Sequence, residues 1–279
     1  MQTNKLFTVF VGSLMLLATF SPAFAMPALS MQPGIGIMRL ANGNYSSTNW
    51  SGYAVTGASG SVTVASGSWT VPAATAGTSS TTTYYSAFWV GIDGFSSSTV
   101  EQTGTISEIQ GSIATYYAWY EFYPSPMYEI TSMTIRPGDQ ISATVTYTGT
   151  TGRSGFFGRS SSTFSVTITD QTTRKSYTTM GTVANAARSS AEWIAEAPSS
   201  YRGVLPLANF GTAAYGYDYT KVANTCYATV NGVNEPINSL ASAVQSITMV
   251  TNSGATKAAP SALSSDGTSF TVTWANSGP

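Results

Sequence analysis

The chain has 279 residues, only 8% of them charged, and its eleven Lys and Arg against twelve Asp and Glu leave a net charge of −1. So sparse a basic complement offers no patch to neutralise phosphates, which excludes ordinary nucleic-acid binding. There is no histidine and a single cysteine, which excludes Ser-His-Asp and Cys-His catalysis, His-ligated zinc and an intramolecular disulfide.

In chain order, residues 1–25 read as a secretory signal peptide. Lys5 supplies the basic start, residues 6–20 the apolar run, and Ala23-Phe24-Ala25 the small-x-small cleavage pattern. No later segment approaches ~18 unbroken apolar residues, so a secreted protein without stable membrane association is expected. Residues 26–44 show no sustained period and read as an N-terminal arm or short pro-segment. Residues 45–279 are expected to form a single domain, and a monomer.

From Asn49 onward, strand-like runs alternate with turn clusters: WSGYAVT, SVTVASGSWTVP, YYSAFWVGID, TYYAWYEFY, QISATVTYT, TFSVTITD, AEWIAE, SITMVT and TSFTVTW. They are rich in β-branched and aromatic residues, which suit a pleated, half-buried surface. Only VNEPINSLASAV offers one or two helical turns. Many strands at short spacing indicate an all-β sandwich or barrel. Phe156 and Phe157, in a Gly/Arg/Ser-rich turn, suit either a flap over a cleft or an ordinary hairpin loop. Tyr215, Tyr217 and Tyr219 alternate as strand surface would, and Cys226 is expected to be buried or half-buried.

Two stretches carry candidate chemistry. In TYYAWYEFYP, strand alternation puts Trp119, Glu121 and Tyr123 on one face. That pattern fits the floor of an aromatic-lined cleft or a solvent-facing Glu between amphipathic rings, and the residues alone leave both open. In SAEWIAE, Glu192 and Glu196 share a face. Without histidine, the acid and base of a hydrolase must be carboxylates, amides, Tyr or Lys. A carboxylate of ordinary pKa, about 4, works most naturally in acid.

The order of several blocks resembles the glutamic peptidases (eqolisins), secreted acid-acting endopeptidases. The blocks are TNWSGYAV at 48–55, WVGIDG at 89–94, EQTG at 101–104, AWYEFYP at 118–124, AEWI at 191–194 and ANFGT at 208–212. The resemblance implies a concanavalin-like β-sandwich of two antiparallel sheets with a concave active-site face, acting on protein or peptide substrates with no cofactor or metal. It implies a catalytic pair of Gln102 and Glu192, and substrate-binding roles for Trp50, Trp89, Trp119, Glu121 and Tyr123. Glu192 would activate water as general base and then protonate the leaving amine, while the Gln102 amide would stabilise the oxyanion. Glu196 matches no catalytic position and is expected to be structural or at the rim.

The chain departs from the fungal pattern in lacking its cysteines. Glu101 stands where that pattern has an apolar residue, and Ile106 and Tyr117 stand where it has acidic ones. About 20 residues remain for a pro-segment, far fewer than in the family's inhibitory propeptides. Composition alone also fits a jelly-roll glycoside hydrolase using Glu121 and Glu192, or a non-catalytic lectin-like sandwich. Gln102 discriminates, because only the peptidase requires it.

Overall fold

A computed structural model describes residues 29–77, 79, 81–152 and 161–278; residues 1–25, Phe156 and Phe157 lie outside the described residues. The longer strands are β1 (Trp50–Thr56), β2 (Val62–Thr70), β3 (Thr83–Ile92), β4 (Val100–Gln110), β5 (Ile113–Tyr123), β6 (Gln140–Thr151), β7 (Ser161–Asp170) and β8 (Lys175–Ala184). They continue with β9 (Ser190–Glu196), β10 (Thr212–Gly216), β11 (Tyr227–Val230), β12 (Val233–Pro236), β13 (Val244–Val250), β14 (Thr256–Pro260) and β15 (Ser269–Trp274).

Antiparallel pairing traces two layers. One runs β13–β1–β9–β3–β4–β5. The other runs β8–β7–β6–β2, with β10 and β11 both pairing onto β2. β14 and β15 link β13 to β10 and so join the layers at one side. The layers pack face to face, β2 against β3 and β9, and β6 against β3 and β4. This is the antiparallel sandwich expected from the strand pattern. Among the described residues no helix is long and apolar enough to cross a membrane.

Alternation assigns one face of β9 to the space between the layers. Trp193 and Ala195 point there, with Phe88 and Val90 of β3 and Trp69 of β2, all within one apolar cluster. Each such fully buried large side chain contributes roughly 1.5–3 kcal/mol by leaving water. The Trp193 indole crosses to the second layer and donates from Nε1 to the Ser66 carbonyl at 2.7 Å. Gly67 makes room for it, since a Cβ there would stand 3.0 Å from Trp193 Cδ1.

Two expectations need correction. Tyr215 is not strand surface: it is buried, its ring stacks on Phe270 at 4.8 Å, and its hydroxyl donates to the Ile194 carbonyl at 2.6 Å. That hydrogen bond ties β10 to β9, so the ring belongs to the core. Tyr217 and Tyr219 are exposed, but they lie on a single helical turn, α1 (Tyr217–Thr220), rather than on a strand. The expected helical turns do form, as a kinked 3-10 helix over Ile237–Ala243. Cys226 is buried and free.

Candidate active site

The register of four strands builds a row of side chains on the face turned away from the interlayer core. Glu192 on β9 stands opposite Gly91 on β3, Gly91 opposite Gln102 on β4, and Gln102 opposite Glu121 on β5. Residues in register share a face, so three polar side chains project together. Gly91, lacking a side chain, separates Glu192 from Gln102. A parallel row runs Ile194–Trp89–Gly104–Trp119, and a third places Glu196 opposite both Trp50 and Ala87. Every residue proposed from the sequence is thus brought to one face; Tyr123, two residues beyond Glu121, lies half-buried at the end of β5.

Small residues let the large ones lie flat. Trp89 donates from Nε1 to Glu196 Oε2 at 2.8 Å, opposite Ala87, while its Cζ3 lies 3.0 Å from where a Cβ on Gly91 would stand. The indole therefore lies along its own strand from Ala87 to Gly91, an apolar floor between the catalytic candidates. Its ring meets Trp50 edge-on at 5.0 Å. At Gly104 a Cβ would stand 2.6 Å from Trp89 Cβ and would drive into the Phe88 carbonyl oxygen. Gly104→Ala is accordingly expected to cost about 1–3 kcal/mol through overpacking, read as a lowered urea midpoint.

Glu196 is not at a rim. It is fully buried and accepts from the Trp89 indole and, at 3.3 Å, from Asn49 Nδ2, so it positions the floor rather than the reaction. Burial holds its carboxyl well above the ordinary carboxylate range, and the charge of Glu121 adds to the effect.

The Gln102 amide has its orientation set by its neighbours. Nε2 donates to the Met31 carbonyl at 2.7 Å and to Glu121 Oε2 at 3.0 Å, both acceptors, so the nitrogen must face them. Its Oε1 has no hydrogen-bond partner, and neither oxygen of Glu192 has one. Buried orphan acceptors on one row form a polar spot suited to a water or a substrate N–H.

An ordinary pKa for Glu192, expected from the sequence, does not hold. Complete burial raises it well above the carboxylate range, and the nearby acids Asp93 and Glu101 raise it further. The Ser190 hydroxyl and the Phe95 amide oppose the shift without closing a well-formed hydrogen bond. The same face carries a cover that the sequence did not reveal. Residues 29–35 cross this face, and Leu29 and Met31 complete its apolar cluster with Trp50, Trp89, Trp119 and Ile194. Glu121, beneath the same cover, is pushed up to about 8 by burial, against hydrogen bonds from Ser30, Met31 and Gln102.

Sequence reasoning missed three further residues. Asp93 follows β3 with φ 72° and accepts from the backbone N–H of Arg188 at 2.7 Å and of Ser189 at 2.9 Å. It thereby anchors the chain just before Glu192. The Asp-Gly pair after an apolar strand was the available signal, since both residues tolerate the left-handed turn. Asp93→Ala removes that acceptor and is expected to cost about 1–3 kcal/mol by urea unfolding. Asn49, inside the TNWSG block, links Glu196 to the covering segment by accepting from Ile35 N at 2.7 Å. Met31 carried no sequence signal.

The resemblances to known proteins agree with this geometry. Residues 48–274 match the Peptidase A4 family. The chain is 32% identical over 194 residues to aspergillopepsin-2 of Aspergillus niger, which covers 62% of this chain and 64% of that protein's length. The fold superposes on a scytalido-glutamic peptidase crystal structure with a transition-state-analogue inhibitor, with a TM-score of 0.62 and 24% identity, covering 82% of this chain and 98% of that one. Aspergilloglutamic peptidase from Aspergillus niger is similar over 69% of this chain and 99% of its own, with a TM-score of 0.52 and 27% identity. A family match from Thr48 to Trp274 takes in every strand of the site face, and the chain belongs to the Peptidase A4 family, the eqolisins.

Proposed function

We propose that the protein is an exported endopeptidase that hydrolyses peptide bonds of protein substrates in acid, using Glu192 and Gln102. The observation that carries this reading is the single row Glu192–Gly91–Gln102, with unpartnered oxygens on both side chains. A water between them can lose its proton to ionised Glu192 as it attacks the scissile carbonyl. The Gln102 amide is uncharged at any pH, and the N–H that donates to the Met31 carbonyl in this structure receives the developing oxyanion when a substrate carbonyl takes that place. Glu192, now protonated, then gives its proton to the leaving amine. An amide partner avoids the competition for one proton that two adjacent carboxylates would face.

The acid range follows from two opposing limbs. In an open, hydrated cleft the pKa of Glu192 falls back toward the ordinary carboxylate range, so the ionised base increases as pH rises through it. The fold, which buries several protonated carboxyls, loses stability as pH rises further. Their product is a maximum on the acid side of neutrality. The test is digestion of a denatured protein across pH 2 to 7 by the full chain and by Gln102→Ala. The variant is expected to lose about 10²–10³ in kcat, the usual cost of removing one oxyanion donor. Full activity in Gln102→Ala, or hydrolysis of polysaccharide instead of protein, would overturn the assignment.

A further inference from the structure

Two residues before Trp50, the Thr48 carbonyl accepts from Lys257 Nζ at 3.4 Å. Lys257 stands on β14 and, at 1% exposed, is the only buried Lys or Arg among the described residues. An ammonium has three N–H donors, and 3.4 Å is long for an N–H···O bond, so among the described residues the amine is barely satisfied. A buried charge in that state is costly unless an anion joins it. No carboxylate is among the groups acting on it: burial alone pushes the amine down to about 8, which leaves it a cation in acid. Its stem is held in place by Gly278, where a Cβ would meet Lys257 Cε at 2.8 Å and Nζ at 3.0 Å.

Lys257 lines a cavity of about 330 Å³ between the tip of the β13–β14 hairpin and a short hairpin that pairs Ser199 with Val204 and Ser200 with Gly203. Arg202, in the turn of that short hairpin, is the second cation of the lining, and no Asp or Glu lines it. Ile35, Val204 and Val250 supply an apolar wall. None of these residues belongs to the Glu192–Gly91–Gln102 row. We propose that this cavity binds a small carboxylate with a compact apolar body, the chemistry of a peptide's C-terminal residue: Lys257 and Arg202 take the carboxylate, and Ile35, Val204 and Val250 take the body. Two cations on one cavity with no opposing acid concentrate anions there. The volume lies at the lower end of small-ligand sites, and a bare inorganic ion would leave the apolar wall unused. A peptide α-carboxyl, with an ordinary pKa of about 3.5, is ionised at pH 5. Its arrival completes the hydrogen bonding of the buried amine. It also ties β14 to the short hairpin, whose Ser199 bridges to Ser30 of the covering segment.

The test is isothermal titration calorimetry of the full chain at pH 5 with N-acetyl-leucine, its neutral amide N-acetyl-leucinamide, isovalerate and inorganic phosphate. N-acetyl-leucine is expected to bind saturably, and the amide at least about tenfold more weakly, because the charge-assisted hydrogen bonds are lost. Phosphate, which has the charge without the apolar body, is expected to bind at least about tenfold more weakly as well. Isovalerate keeps charge and apolar body but has no peptide group. If it matches N-acetyl-leucine the site serves free organic acids, and if it binds more weakly the site serves peptide ends. Lys257→Met, which keeps the buried stem, is expected to weaken N-acetyl-leucine at least about tenfold, and Arg202→Ala, at the exposed edge, about two- to fivefold. Should Lys257→Met fail to fold, the acid–amide comparison and Arg202→Ala still read the site in folded protein. Equal binding of acid and amide, no saturable binding of the acid, phosphate as tight as the acid, or undiminished binding in Lys257→Met would each overturn the inference.

Discussion

Glu192→Gln is expected to lower kcat for peptide hydrolysis about 10²–10⁴-fold with little change in KM, the range set by general acid–base catalysis. The substitution keeps the shape and a hydrogen-bonding oxygen but removes the basic carboxylate. The row and the apolar floor remain, so binding survives while activation of water does not. Combined with Gln102→Ala the loss should be much less than the product of the two, because residues that act on one transition state are not independent. Steady-state kinetics on a peptide substrate, with a circular dichroism spectrum to confirm the fold, checks both statements. Retention of more than about a tenth of the activity would place the base elsewhere. The same variant should be more resistant to urea than the wild type at pH 7 and little different at pH 4, since it lacks a carboxyl that the fold must keep protonated.

The second large effect concerns stability, which is expected to fall steadily from about pH 4.5 toward neutral. Glu101, Glu192 and Glu196 are fully buried, each with its pKa raised chiefly by burial, and no cation is among the groups acting on them. Glu101 has neither oxygen hydrogen-bonded and also faces the charge of Asp93. Its Thr99 neighbour opposes the shift only slightly, without a well-formed hydrogen bond. The sign follows directly. A folded pKa above the unfolded value means that the fold holds a proton which the unfolded chain releases. That stabilisation is complete below the unfolded pKa and is lost as pH rises through the window up to the folded pKa. Each such group tilts stability by about 1.4 kcal/mol per pH unit within its window. Glu101→Leu is expected to flatten the slope by one proton in urea unfolding at pH 4, 5, 6 and 7. A wild type as stable at pH 7 as at pH 4 would contradict the protonated burial of all three.

Nine of the strands, β1 and β9 among them, were legible because each carries an apolar or aromatic alternation, as in WSGYAVT and AEWIAE. β8 was not, because Lys175–Ala184 presents mostly exposed polar residues and takes its pairing from β7 rather than from its own pattern. The β11–β12 hairpin had a signal that went unused. Asn231-Gly232 occupies its turn with φ of 53° and 82°, the pair that two-residue hairpins favour. Gln102, Glu192 and the aromatic residues were found through block order, and the structure brings them onto one face. The cover was hidden for a physical reason. A segment bound as a ligand takes its conformation from its host, so residues 29–35 need no period of their own. Burial of Glu101 was hidden likewise, since Glu is among the residues seldom found buried without a partner.

Strand β9 has no exposed position: all seven residues from Ser190 to Glu196 are buried, one side against the second layer and the other beneath the covering segment. A strand with one wet face tolerates change at every second residue, and a saturation scan of it shows a comb. Scanned for abundance in the covered form, Ser190–Glu196 should instead show an unbroken block of intolerance. In a chain truncated to remove residues 29–35, the requirement at positions 192, 194 and 196 should turn from folding toward activity, while that at 191, 193 and 195 should stay with the fold. One strand would then carry two interleaved sets of selective constraints, separable by the form of the protein in which they are measured.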